Sequence, residues 1–550
     1  MTRPQFSSIP AALALALAPA CGDDTGASEG PATNVNATEE PGTAGTEGES
    51  ASEPTTTEPA APFEPIPALG GIELEWVEAN QGIGVAIGRD GEGVGGSDRT
   101  SYLLQNRLTL IRAFWRELPA DWVPREIEAR LIISGYPEGE KVFKSKAFVE
   151  GASFVGNLEK SFYWGLMPAE VIPGLKYRIE LWETEKGWAA IDPATTPAGT
   201  VPPNLPLSGS TFIGIEDSYQ ALKVTIVPYH YNFGGCNTTP DLSEATMKKF
   251  ETFMFMMNPI EKLEITIHEP VVWQGELTQF GQLNQFMVDL RQQDGAPPET
   301  YYFGYVDVCS GGLGGAGGQA IDIPSGALKN DAWKRTSSGL SLPNNTDYAA
   351  ETFVHEVGHS QGRYHIACSG EAGTDNTYPH QGGDIGEWGF GVINFKLYHP
   401  TVHKDYMTYC HPVWASTFGW NKVYPIISEL SSWELEGAPA PEDDGGAILL
   451  GMVYPDGTES WITTPGAVDR DNLSAVQSVE FYAGGDKLAV HAAEVRPQPD
   501  SDVVNIVVPL PDGFDDVTQI ARLDGAQRTV TDKSAIKVSH KYRSRPLTNK

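Results

Sequence analysis

The sequence predicts a multidomain protein. A central α/β domain with a mixed, mostly parallel sheet and a histidine-bearing helix stands between N-terminal and C-terminal β-sandwich-like domains. Three observations carry this. The chain has 550 residues, too many for one domain at about 150 residues each. From 219 to 323, strand-like and helix-like stretches alternate, which suits a mostly parallel sheet. On either side, short apolar or alternating strands are separated by Gly and Pro.

Residues 1–21 read as an export signal. Arg3 supplies a short positive region, Ile9 to Ala18 an apolar run too short to span a bilayer, and Ala18, Pro19 and Ala20 a small-residue cleavage site. Cys21 at that point resembles the lipidated first residue of a bacterial lipoprotein, although Leu17 stands one step further out than such signals place it. A simple secreted protein is the other reading. Residues 22–62 hold nine acids, no base and no aromatic residue. Such a stretch cannot bury enough apolar area to offset its ordering entropy, so it reads as a disordered acidic linker. Its reach of roughly 35 Å suits a tether.

Residues 63–218 read as an N-terminal β domain, with strands at 72–77, 108–114, 127–133 and 177–181. The central domain is placed at 219–435. It starts with a strand at 222–227, a helix at 241–257, a strand at 262–267, a helix at 280–292 stopped by Asp294-Gly295, and a strand at 301–308. The glycine-rich loop 311–318 lacks the Gly-Lys-Ser/Thr of a phosphate-binding loop. It reads as an edge connection before an edge strand at 319–323. Residues 436–550 return to short strands, at 447–453, 478–482 and 503–508, and read as a C-terminal β domain.

The chemistry concentrates in His355-Glu-Val-Gly-His-Ser-Gln-Gly-Arg-Tyr-His365. The chain has only 11 histidines, and three of them lie here. Residues 347–361 read as a helix capped by Thr346 or Asp347. His355 and His359, four apart, share one face, with Glu356 beside them as in zinc peptidases. Gly362 suits a left-handed helix end, after which the chain can turn to offer His365. Three imidazoles leave a fourth tetrahedral position for water. A Zn2+ ion there would acidify that water, and Glu356 could take its proton.

This pattern resembles the zinc signature of the metzincin metallopeptidases. Asp405-Tyr-Met-Thr-Tyr-Cys410 is similar to their methionine turn and puts Met407 beneath the histidines. Tyr409, two residues on, resembles the tyrosine that some members bring near the metal, where the resemblance implies metal binding or oxyanion stabilisation. The stretch from Cys368 through Gly382–Gly389 to Trp414 further resembles bacterial exported metzincins with appended β domains. The resemblance implies one catalytic Zn2+, a metzincin-like fold and hydrolysis of a protein or peptide substrate. No cysteine lies between 21 and 236, so latency through a pro-domain cysteine is unavailable. An acidic residue could do that job, and the sequence singles none out.

Cys236, Cys309, Cys368 and Cys410 remain once Cys21 is set aside, and an even number in an exported chain suggests two disulfides. Three pairings exist. Cys236–Cys309 and Cys368–Cys410 are favoured because each joins segments the fold reading places together. Asp375, Asp384 and Glu387 offer oxygens for Ca2+, but their spacing does not match a calcium loop. His380, His399, His403 and His411 lack helical spacing with a carboxylate and read as surface or supporting groups. The formal charge of −34 argues against nucleic acid and against electrostatic docking on anionic lipid. A lipid anchor at Cys21 is the only membrane link expected, and no feature sets an oligomeric state. Two other functions stay open: a binding or adhesion protein on an inert zinc-peptidase fold, and a zinc hydrolase of a non-peptide amide.

Overall fold

The computed structural model describes residues 65–185, 202–309, 313, 315–435 and 446–538. The expected export signal with Cys21, the linker at 22–62 and part of the loop 311–318 lie outside them. Among the described residues, no helix is long and apolar enough to cross a membrane.

Side-chain alternation along the strands builds a three-layer centre. The long strand Ala221–Phe233 pairs in parallel with Lys262–Ile267, Val271–Trp273 and Tyr301–Val306, and the last pairs in parallel with Thr336–Leu340. Cys236–Thr238 and Gly318–Ala320 add antiparallel edges. Val224, Ile226, Phe303 and Tyr305 face one core, whereas Val227, Tyr229, Tyr302 and Val306 face another. Helices α1 (Glu244–Met257), α3 (Thr346–Ser360) and α4 (Thr417–Ser432) bury apolar stripes in the first core. Helix α2 (Phe280–Gln293) covers the other face through Leu283, Met287 and Leu290. Phe353 of α3 stacks on Phe250 of α1 and meets Phe303 of the sheet edge-on, both with centroids 4.9 Å apart. This seats the histidine-bearing helix on the sheet.

Several expected boundaries move, each for a local reason. Helix α1 begins at Glu244 rather than 241, because Asp241 accepts the Ser243 amide and Ser243 in turn caps the helix at Thr246. The cap of α3 is Asn345, whose side chain accepts the Tyr348 amide, and not Thr346 or Asp347. The strand from Tyr301 stops at Val306, since Asp307 turns back to accept the Cys309 amide. The strand expected at 222–227 runs on to Phe233 to pair with Val271–Trp273. The expected edge strand is Gly318–Ala320. Strand Thr336–Leu340 and helix α4, to which the sequence reading assigns no element, complete the centre.

Upstream, one sheet holds Leu74–Asn80, Gly84–Arg89, Thr109–Trp115 and Phe162–Leu166, and a second holds Arg125–Ser134, Lys141–Val149 and Lys176–Glu183. Both line a single core, as in a sandwich. Buried Arg107 ties this body to the centre, donating to the carbonyls of Gln81, at 2.9 Å, and Phe255, at 2.7 Å.

Downstream, the strands form one eight-stranded sheet rather than the two layers of a sandwich. Continuous antiparallel pairing links nearly every neighbour, and residues from near opposite ends of the sheet, such as Ile536 and Ile520, share one core. The sheet therefore curls over itself. The alternate residues Ile448, Leu450, Ile462 and Val507 point the other way and pack on Val288, Ile321 and Trp333 of the centre.

Candidate metal centre

Helix α3 presents His355, Glu356 and His359 on its buried side. It ends before Gly362, which sits at φ +87° with the Pro324 carbonyl oxygen 2.9 Å from where a Cβ would stand. Both facts call for glycine, and the turn it permits brings His365 to Nε2–Nε2 distance 3.1 Å from His359.

A backbone carbonyl fixes each imidazole. His355 Nδ1 lies 2.7 Å from the Tyr406 oxygen, His359 Nδ1 2.7 Å from that of Arg363, and His365 Nδ1 2.8 Å from that of Ala372. Carbonyls only accept, so each Nδ1 carries the proton and each Nε2 turns a lone pair inward. That is the second shell of a metal-bound histidine.

Met407 is fully buried beneath α3, its sulfur 2.7 Å from the Cβ position of Gly358, so a side chain there would have to push Met407 aside. Asp405 holds the turn by accepting the Met407 amide and pairing with buried Arg363, both at 2.9 Å. The Met407 carbonyl accepts the Ile366 amide at 2.9 Å. The disulfides Cys236–Cys309 and Cys368–Cys410 are both formed. The second joins the segment after His365 to the residue after Tyr409. Glu371 spans the same junction, accepting the amides of Cys368, Ser369 and Tyr409, each at 2.8 Å.

The sequence reading missed one member. Asp500, from the C-terminal sheet, enters the histidine cluster. Its Oδ1 lies 3.0 Å from His365 Nε2, its Oδ2 lies 3.1 Å from His359 Nε2 and 3.9 Å from His355 Nε2. Tyr409 donates its hydroxyl to Oδ1. The four ligand atoms lie within 4.8 Å of one another. Tetrahedral zinc with ligands near 2.05 Å would set them about 3.3 Å apart. Among the described residues, the Nε2 of His355, an oxygen of Glu356 and Oδ2 of Asp500 are buried without a hydrogen-bond partner. Inward lone pairs, orphaned buried atoms and a carboxylate among imidazoles fit a divalent cation.

The electrostatics agree. Burial pushes His355 down to about 3 and also lowers His359, so both are neutral ligands. Burial lowers His365 too, but the neighbouring Asp500 carboxylate outweighs it and raises that residue. Burial, then the charge of Asp500, lifts Glu356 well above the usual carboxylate range. Asp500 falls well below that range: burial raises it, and its close contacts with His359 and His365 outweigh that.

The other candidates stand apart. Asp384 pairs with Lys404, Asp375 accepts from Thr377, and Glu387 accepts from Thr417. His411 pairs with Glu351 at 3.1 Å, and the His403 ring sits against His399.

Three histidines and a carboxylate converging beside a glutamate define a centre of the metallopeptidase kind. Over residues 334–411 the chain matches the family model of Peptidase M66. That stretch contains the three histidines, Glu356, Met407 and Tyr409, and excludes Asp500. No curated protein matches the chain.

Proposed function

We propose that the protein is a zinc-dependent endopeptidase of the metzincin type, exported and tethered through Cys21, that hydrolyses extracellular proteins. The observation that carries this is the convergence of three Nε2 lone pairs, each fixed from behind by a carbonyl, beside the buried carboxylate of Glu356. The arrangement of His355, His359, His365 and the turn beneath them at Met407 supports the finer class.

His355, His359 and His365 would hold the ion. Zinc bound there supplies Lewis acidity to a water and to a peptide carbonyl. Glu356 takes the proton of the attacking water and passes it to the leaving amine. Its carboxylate, buried beside the histidines, is placed to hold that proton between the two steps. Tyr409 places its hydroxyl at the mouth of the site, within reach of a developing oxyanion. A cavity of about 970 Å³ beside His365 and Tyr409 has room for several substrate side chains.

The testing experiment is metal content and casein cleavage on one sample, wild type beside Glu356→Gln. One zinc in both with cleavage only in wild type supports the reading. A folded wild type without zinc overturns it.

A further inference from the structure

Asp500 sits at the tip of a hairpin whose arms are Asp486–Pro497 and Val504–Pro509. The tip is built, not loose. The Gln498 amide donates to the Val503 carbonyl at 2.9 Å, and the Val503 amide to the Ser501 hydroxyl at 3.0 Å. Gln498 donates to Asn505 at 2.7 Å and accepts from Gln319 on the edge strand beside Glu356. Asn505 donates to the Ile321 carbonyl at 2.7 Å, and Arg496 to Asp322 at 2.6 Å and the Ile323 carbonyl at 2.7 Å. The hairpin is thus bolted to the central sheet. It pushes one carboxylate, on a residue at φ +56°, into the histidine cluster.

That carboxylate takes the position a tetrahedral three-histidine centre would leave for water. It also divides the cleft. The cavity of about 970 Å³ lies on the His365 side, and a second of about 450 Å³ lies on the side of His355 and Glu356. Among the described residues, Asp500, Tyr409 and Ala316 line both, so the hydrogen-bonded Asp500–Tyr409 pair is the partition. An extended peptide crossing from one cavity to the other has to pass where Asp500 stands.

We propose that Asp500 is a fourth metal ligand delivered by the C-terminal sheet, and that it closes the site until the hairpin tip lifts. This rests on the metallopeptidase reading. The carboxylate displaces water from the metal and keeps the two cavities separate. Lifting the 499–502 tip, beyond the Gln498–Val503 pair, returns a coordination position to water, frees the Tyr409 hydroxyl and joins the cavities into one groove past Glu356. Latency then lies within the mature chain and needs no pro-segment.

The test uses the full chain loaded with Co2+, as wild type, Asp500→Ala and Asp500→Asn, with folding checked by circular dichroism. The cobalt visible spectrum reports the ligand set, and acetohydroxamate, a small bidentate metal-binding probe, reports the open position. Both variants are expected to hold one equivalent of cobalt with an altered spectrum. If the site is open less than about a tenth of the time in wild type, the variants bind acetohydroxamate at least ~10-fold more tightly, and casein cleavage rises alongside. Identical spectra and identical acetohydroxamate affinity in wild type and variants would overturn the proposal. So would loss of metal from folded variants, which would make Asp500 an obligatory ligand instead of a stopper. The asparagine variant keeps the test valid if alanine misfolds. Tighter acetohydroxamate binding with no cleavage by any form leaves the latch standing and removes the peptidase reading. Equal cleavage and equal probe affinity do the reverse.

Discussion

Asp500 Oδ1 stands 3.0 Å from Nε2 of His365, across 135 residues of chain. The contact makes the C-terminal sheet part of the metal centre and not an appendage to it. The apolar packing of Ile448, Leu450 and Val507 on Val288, Ile321 and Trp333 fixes the sheet that delivers the carboxylate.

Replacing Glu356 by Gln keeps the shape of the buried side chain and removes its basicity. Metal content by mass spectrometry should match wild type, while cleavage falls by roughly 10²–10⁴-fold. Retained cleavage would assign the base elsewhere.

His359 is fully buried and central to the cluster, so His359→Ala should abolish metal binding and activity together. Metal at about 100 times its Kd stabilises a folded protein by ~2.7 kcal/mol. A chelator should therefore lower the melting temperature of wild type and leave that of the variant unchanged.

Gly362→Ala should cost about 1–2 kcal/mol from the left-handed backbone alone, with a further cost from the Pro324 carbonyl that the new methyl would meet. Because this turn delivers His365, metal affinity should fall along with thermal stability. Calorimetric titration of the apo variant with zinc would measure it. Unchanged affinity would mean that the turn tolerates a side chain.

Glu78 faces Arg112 across a strand pair inside the N-terminal sandwich, 3.4 Å away. Burial dominates over the attraction of Arg112 and pushes Glu78 up to about 7 from an ordinary 4.5. Between those pH values the folded chain holds a proton that the unfolded chain has released, so stability falls as pH rises through the window and levels off above it. Glu78→Gln mimics the protonated form. Its melting temperature should match wild type near pH 4.5 and exceed it increasingly up to pH 7, by scanning calorimetry. A pH-independent difference would contradict the assignment.

Elements that carry their own periodicity were legible. Lys262–Ile267 and Ala447–Val453 fall where alternation placed them, and α2 differs by one residue at its end. Strand Thr336–Leu340 was hidden because Thr-Ser-Ser-Gly-Leu has no apolar run. Its core contact comes from a missing side chain: Gly339 lets the Phe303 ring come within 2.7 Å of its Cβ position, and Ser338 bonds Asn284. Helix α4 carries Pro425 in its interior, which masks a helical pattern. The supporting pair Arg363–Asp405 reads in sequence as two ordinary charges, and only burial gives it a role.

The sequence by itself determined what depends on neighbours in the chain. Two histidines one turn apart, a glutamate between them, a glycine to turn the chain and a third histidine within reach are local relations that helix geometry enforces. Long-range relations were left to the tertiary structure. Asp500 lies in Pro497-Gln-Pro-Asp-Ser-Asp502, which reads as a surface turn and carries no sign of a ligand. It becomes one only because hairpin pairing, the Gln498 and Arg496 anchors and apolar packing against the centre aim its carboxylate at three imidazoles. Spacing along the chain can specify ligands on one helix and the turn that follows it. A ligand from another sheet is specified by packing, which only the folded chain contains.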